Sequence, residues 1–257
     1  MKYELSICAY CKDETDYLEE WVNFNRCVGV EHFYIYDNLS VEPVKKTLKK
    51  YIDNGYVTVI DFPGKKRQIE CYNYHINNHI NNSKWTAFFD CDEFLIPKQC
   101  NNVLEILIDY EKYGGLCVNW VQFGSSGFLT KQQGLVTETF TLSKPDTHTK
   151  TIVKSDLVLK SSGNSHSFLF KNNYSVSENF IRVDNVHILP SIKKIQLNHY
   201  LVKSFEEFEK RVNKTLIGTA DGGPPRSINN IYECDRICTE VDNSAFRFIE
   251  NTKKLYL

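Results

Sequence analysis

Three acids stand almost side by side at Asp90, Asp92 and Glu93, in the stretch Lys-Trp-Thr-Ala-Phe-Phe-Asp-Cys-Asp-Glu-Phe-Leu-Ile that runs from Lys84 to Ile96. Carboxylates at this density need a counter-charge between them. A hard divalent cation is well suited, because it takes oxygen ligands and can bridge onward to a diphosphate. The apolar run before Asp90 reads as a buried strand, so the acids fall at its C-terminal edge, where open α/β sheets bind ligands. Side chains alternate faces along an extended segment, so Asp90 and Asp92 are expected to point the same way and share one ion. The plainer alternative is a solvated turn, since aspartate is favoured in turns for its own hydrogen bonding. Apolar residues on both flanks and the third acid favour the metal.

Other residue types fall at strand ends where chemistry would need them. His199 falls at the end of the strand-like stretch 195–200, and an imidazole there can complete a metal's coordination or serve as hydrogen-bonded structure. Asp37 closes residues 32–36 and is placed for a nucleotide's ribose or base, or for a helix cap. Arg67 opens a helix-like run beside the strand ends, where a guanidinium meets a phosphate or faces water. Trp120 and Phe123 can stack on a sugar ring or fill the core, and Gly124-Ser125-Ser126-Gly127 lets a ligand approach the backbone.

The elements that must position these residues alternate. Strand-like runs at 5–10, 32–36, 57–60 and 85–89 are separated by helical patterns, with Tyr17, Leu18, Trp21, Val22 and Phe24 on one face of the first. Helices are expected at 44–52, from Gln68 onward, and at 103–112, followed by a fifth strand at 116–123. This βαβ order predicts an α/β, Rossmann-like, mostly parallel sheet flanked by helices. Beyond Phe128 the pattern loosens, with short strand-like pieces at 150–154 and 167–170, and a capping box at Ser204-Phe205-Glu206-Glu207 starts a further helix. One domain over 1–257 is expected: a nucleotide-binding half at 1–127, an acceptor-side, metal-completing half at 128–217, and a tail at 218–257.

Composition narrows the function classes. The chain has 257 residues, 42% hydrophobic and 25% charged, with a formal net charge of −1, so no general affinity for nucleic acid is expected. Met1-Lys2-Tyr3-Glu4 leads into no cleavage-type region and no apolar segment approaches membrane-spanning length, so a cytoplasmic protein without an integral membrane segment is expected. Nine cysteines, an odd number scattered through apparent strands and helices, read as reduced thiols. Cys8 and Cys11, or Cys234 and Cys238, have spacings that a zinc or redox site also uses. No G-x-G-x-x-G and no P-loop motif is present, which argues against a nicotinamide cofactor and a P-loop nucleotide site.

Taken together, Lys12-Asp13-Glu14, Glu20-Trp21, the run Gly29 to Ser40, Asp90-Cys91-Asp92-Glu93-Phe94-Leu95, Phe123 to Gly127, Asn198-His199-Tyr200 and Lys203 to Phe208 resemble glycosyltransferase family 92 and its bacterial and viral relatives. The motifs run in the family's order over most of the chain, although Lys12-Asp13-Glu14 stands where the family usually has Lys-Asn-Glu. The resemblance implies a GT-A fold, a nucleotide-sugar donor (UDP- or GDP-linked), a glycan or other hydroxyl acceptor, and Mn2+ or Mg2+. It implies Asp90 and Asp92 as metal ligands, with His199 as the third, and Asp37 at the nucleoside. The residues expected around the donor are Lys12, Glu14, Asp37, Asn38, Arg67, Asp90 and Lys203, and around the acceptor Trp120, Phe123, Gly124 and Ser125. Characterised relatives invert the anomeric centre, so a carboxylate should deprotonate the acceptor, with Glu138, Asp146 and Asp221 as candidates. A haloacid-dehalogenase-type phosphohydrolase also places D-x-D after an apolar strand, but its motif usually opens the domain. A metal-dependent nucleotidyltransferase and a carbohydrate-binding module without turnover are the other readings.

Overall fold

The computed structural model describes residues 1–215 and 227–256, so the expectation for Asp221 falls outside the described residues. The centre is an 11-stranded sheet. Its first four strands, β1 (Tyr3–Cys11), β2 (His32–Asp37), β3 (Val57–Asp61) and β4 (Ser83–Phe88), pair in parallel in the order β3-β2-β1-β4. The crossovers carry α1 (Leu18–Cys27), α2 (Val44–Thr47), α3 (Lys49–Asp53) and α4 (Gln68–Asn78). Parallel strands covered on both faces must be apolar on both, and β1 shows how that is met. Leu5, Ile7 and Ala9 face one core with Trp21, Phe33 and Ile35, while Cys8 and Tyr10 face a second core with Tyr36, Tyr72 and Phe88. The helix expected at 44–52 is divided at Leu48, whose backbone (φ −98°, ψ 20°) joins α2 to α3.

The second half adds β5 (Glu93–Pro97), α5 (Val103–Leu107), β6 (Gly115–Phe123), α6 (Val136–Thr139), β7 (Leu142–Lys154), β8 (Val158–Ser161), β9 (Phe168–Phe170), β10 (Ser175–Val176), β11 (Arg182–Val183) and β12 (Ile195–His199). Three helices and a short strand follow: α7 (Phe205–Thr215), α8 (Asn229–Ile237), β13 (Glu240–Val241) and α9 (Phe246–Lys254). β7 is longer than the 150–154 piece legible in the sequence and inserts antiparallel between β4 and β6. The sheet therefore runs across the boundary expected at residue 127. β1, β2, β3, β4, β6, β10, β12 and β13 all run one way, and β5, β7 and β11 run the other. The C-terminal ends of β1, β2, β4, β6 and β12 thus share one rim, which gathers Asp37, Asp90 and His199. This is the α/β, mostly parallel architecture anticipated. α8 packs through Ile231, Cys234 and Cys238 on Val202 and Phe208, and α9 lies against α1, where Phe248 meets Phe24 at 5.8 Å between ring centroids. All nine cysteines are free thiols, and no helix among the described residues is long and apolar enough to cross a membrane.

Candidate active site

β4 ends at Phe88, and residues 90–93 form a tight turn rather than the extended segment expected. Glu93 makes the turn: its Oε2 accepts from the Asp90 amide at 2.8 Å and its own amide donates to the Asp90 carbonyl at 3.1 Å. Alternation of faces therefore does not apply, and the two aspartates reach different partners. Beyond the turn, Glu93 starts β5, a strand not recognised in the sequence because the run Phe94-Leu95-Ile96 is too short to declare its period. β5 pairs antiparallel with β12 and sets His199 opposite Glu93. The Trp21 indole on α1 donates to the Glu93 carbonyl at 2.8 Å and fixes the turn from beneath.

Asp90 accepts from Gln68 Nε2 at the start of α4 and from Lys150 Nζ on β7, both at 2.7 Å. Lys150 is wholly buried and also lies 3.6 Å from Glu93. Burial alone would raise the Asp90 carboxyl, but the Lys150 ammonium holds it below the ordinary carboxylate range. Burial dominates at Glu93 and pushes its carboxyl well up despite Lys150. Burial would likewise lower Lys150, yet Asp90 and Glu93 keep it above the ordinary lysine value. Asp92 faces the other way. Its Oδ2 lies 3.0 Å from Arg211 on α7, and its Oδ1 lies 3.6 Å from His199 Nε2. Arg211 continues to Glu14 at 3.2 Å, and Lys203 reaches Glu14 at 3.8 Å. Burial brings the His199 imidazole down to about 4 even though Asp92 and Asp90 oppose the shift, so the ring is neutral near pH 7. Its Nδ1 is buried without a hydrogen-bond partner.

Asp90, Asp92 and His199, expected as ligands of one ion, lie at one rim but do not form a cage: among the described residues no group of three or more His, Cys, Asp or Glu side chains is gathered to hold a metal. The physical reason is that Asp90 already spends its carboxylate on Gln68 and Lys150.

The remaining expected residues divide. Asp37 accepts from the Ser40 and Val44 amides at 2.9 and 3.2 Å and so holds the loop between β2 and α2, whose N-cap position is Pro43. Lys12 Nζ donates to the Asn38 and Leu39 carbonyls, and Asn38 accepts from the Gly64 amide, so these residues lace the ends of β1 and β2 together. Arg67 lies over the Phe62 ring and binds Glu70 and the Pro63 carbonyl of its own turn. On the acceptor side, Phe123 is core, stacked on Tyr200 at 4.4 Å. Ser125 is wholly buried, its amide and hydroxyl both given to Asp235 of α8. A side chain at Gly124 would meet the same carboxylate at 2.6 Å, so this glycine serves the approach of α8. Only Trp120 of this group faces the acids, with its ring 4.2 Å from that of His199 and 5.1 Å from that of His148. Glu138 pairs with Lys253 of α9, whereas Asp146 on β7 binds His148 and is within electrostatic reach of His199.

Lys150, Arg211 and Gln68 were not singled out in the sequence as site residues. A lysine at the head of the apolar run Ile152-Val153 was the available signal for Lys150; nothing local marked the others.

The sequence profile of glycosyltransferase family 92 matches residues 3–221. A family 92 protein of Ricinus communis is 27% identical over 225 residues, which cover 82% of this chain and 37% of that protein. A beta-1,4-galactosyltransferase of Caenorhabditis elegans is 32% identical over 110 residues, covering 37% of this chain and 26% of that protein. The chain spans less than half the length of the family 92 proteins it matches. Among solved structures, Staphylococcus aureus TarS in complex with UDP-GlcNAc aligns with a TM-score of 0.46 at 9% identity over 98% of this chain and 73% of that one. With its profile match running from the first strand to beyond α7, this chain belongs to glycosyltransferase family 92.

Proposed function

We propose that this chain is a metal-dependent glycosyltransferase domain that moves a sugar from a UDP- or GDP-sugar to a hydroxyl of a glycan or other acceptor, with inversion. The observation that carries the reading is the rim itself: Asp92 and a neutral, buried His199 face each other at 3.6 Å between two cations, the fully buried Lys150 and the half-buried Arg211. Family membership supports it, and the relatives named as beta-1,4-galactosyltransferases make UDP-galactose the first donor to try.

The residues suit a divalent ion by chemistry. Metal ligation needs a deprotonated imidazole and ionised carboxylates, and a neutral, buried His199 with Nε2 facing Asp92 at 3.6 Å meets that need. Mixed carboxylate and imidazole donors are compatible with Mn2+. Asp92 and His199 would hold the ion, with Asp90 beside them. Once bound, it supplies Lewis-acid stabilisation of charge on the departing diphosphate.

The chain's own residues do the rest. Lys150 fixes Asp90 and Glu93, so the acidic turn keeps its shape without solvent. Arg211 and Lys203 bring two positive charges to the edge of the same site, where a guanidinium fork and an ammonium can meet diphosphate oxygens. Trp120, half-buried and packed on His199, lines the acceptor side of the rim.

A thermal-shift screen with UDP, GDP, CDP and TDP, each with and without MnCl2, tests the reading. One nucleotide should stabilise the protein only when manganese is present, and Asp92→Ala should abolish that shift. An identical shift in the variant would overturn the metal assignment.

A further inference from the structure

Resting on that reading, we propose that the acceptor hydroxyl is deprotonated by His148, oriented by Asp146, so that the catalytic base is an imidazole and the carboxylate is its positioning residue. The geometry is specific. His148 Nδ1 lies 2.7 Å from Asp146 Oδ1, and the same oxygen accepts the His148 backbone amide at 2.8 Å. An Nδ1–H donated to the carboxylate leaves Nε2 as the basic nitrogen. Asn119 Nδ2 holds the Asp146 carbonyl at 3.2 Å, which ties the pair to the neighbouring strand β6.

Position favours the ring over the acid. The His148 ring stacks on Trp120 at 5.1 Å, and the Trp120 ring also packs on His199, which faces Asp92. Acidic turn, His199, Trp120 and His148 therefore form one continuous wall across β12, β6 and β7. The His148 side chain keeps 38% of its surface exposed and is within reach of an incoming hydroxyl. Asp146 is more enclosed, with 25% exposed. Burial would raise its carboxyl, but its bonds to His148 hold it below the ordinary value, which makes it a poor proton acceptor and a good anchor for an imidazolium. Glu138, by contrast, is paired to Lys253 on α9.

The step balances without a further reagent. The acceptor O–H bond breaks and its proton passes to His148 Nε2. The oxygen forms a bond to the anomeric carbon on the face opposite the leaving group, and the carbon–oxygen bond to the diphosphate breaks with its electron pair going to the nucleotide. The imidazolium, paired with Asp146, releases its proton to solvent. Among the described residues, the other titratable rings beside His148 are His187 at 4.0 Å and His166 at 6.0 Å between ring centroids.

Two measurements on the full chain test the assignment. First, long-range 15N NMR of the histidine rings at pH 8 should show His148 as the Nδ1–H tautomer in the wild type and a redistribution in Asp146→Asn. An Nε2–H tautomer in the wild type would overturn the assignment. Second, transfer is followed with UDP-galactose, UDP-glucose and GDP-mannose as donors, Mn2+, and p-nitrophenyl glycosides as acceptors. For the pair that the wild type turns over, His148→Gln should lower kcat about 100-fold or more with donor KM within about twofold, since general bases contribute on the order of 10²–10⁴. Asp146→Asn should lower kcat less than His148→Gln does. Undiminished turnover in His148→Gln, or a larger loss in Asp146→Asn than in His148→Gln, overturns the assignment while leaving the transferase reading in place. A wild type that neither binds nor turns over any of these donors strikes instead at the reading on which it rests.

Discussion

Replacing Lys150 with methionine, which keeps the length of the side chain and removes only its charge, isolates the one cation on which the acidic turn is built. Lys150 Nζ is 2.7 Å from Asp90 and 3.6 Å from Glu93, and both Lys150 and Glu93 are fully buried. Breaking a buried ion pair by removing one partner costs about 3–5 kcal/mol, because the other charge is left uncompensated. Asp90 keeps 32% of its side chain exposed and can recover some hydration, which places the expected loss at the lower end, about 3 kcal/mol. For a chain of this size that corresponds to a fall in Tm of about 6–12 °C.

The pH dependence gives the sharper test. In the wild type Asp90 is held below its unfolded value, so its contribution is present above about pH 4 and is lost as pH falls through the folded value. Lys150 is raised, so its contribution persists below about pH 10 and is lost as pH rises through its folded value. Together they leave the pair intact from pH 5 to 8. Glu93 is already pushed up by burial in the wild type; in Lys150→Met Asp90 also loses the cation that held it down, so as pH falls the folded variant takes up more protons relative to its unfolded chain than the folded wild type does. The deficit measured by urea denaturation should therefore shrink by about 1–2 kcal/mol between pH 7.5 and pH 5. Adding Glu93→Gln to Lys150→Met should recover part of the loss at pH 7.5. A deficit below about 1 kcal/mol, or one that is the same at both pH values, would refute the account of Lys150 as the buried counter-ion.

Further outcomes follow from other contacts. Asp37→Ala removes the acceptor for the Ser40 and Val44 amides and should cost about 1–3 kcal/mol in urea denaturation, as hydrogen bonds to a charged group do; an unchanged midpoint would show that these bonds contribute nothing. Ser204→Ala breaks the reciprocal bonds with Glu207 that begin α7 and should cost about 1 kcal/mol, with hydrogen exchange rising first in α7 if the helix is capped as described. Burial brings His75 down to about 3. The unfolded chain therefore binds the extra proton between that value and about 6.5, and stability falls as pH drops through this range. His75→Gln should remove on the order of 2 kcal/mol of the wild-type loss between pH 6.5 and 4.5, and a parallel acid limb in the variant would exclude His75 as its source.

Much of the fold was legible because its signals are local. The strands of the first half must be apolar on both faces to lie inside a parallel sheet, and such runs stand out in any window of six to nine residues. The same holds for the stripe of Trp21, Val22 and Phe24 and for the capping box at Ser204. Several elements went unseen, the first half of β7 and β5 among them. The first half of β7 carries Pro145, Asp146 and His148, polar residues that line the rim rather than the core, so no alternation announces it. β5 is short, and only its antiparallel partner β12 makes it a strand.

The sequence alone decided that acids would arrive at the C-terminal rim of a parallel sheet, since an apolar strand cannot bury Asp90 or Asp92 and must release them at its end. Only the tertiary structure decided what neutralises them. Lys150 lies 60 positions from Asp90 in the chain, and it reaches that acid because β7 runs antiparallel beside β4 with Ile152 opposite Ala87. Arg211 reaches Asp92 from a helix that begins after β12. Turn geometry then sent the two aspartates to different cations, and strand register aligned His199 and Trp120 with His148. Charge compensation in a buried site is set by which strands become neighbours and in what register, and a periodicity of two or three and a half residues carries no record of that.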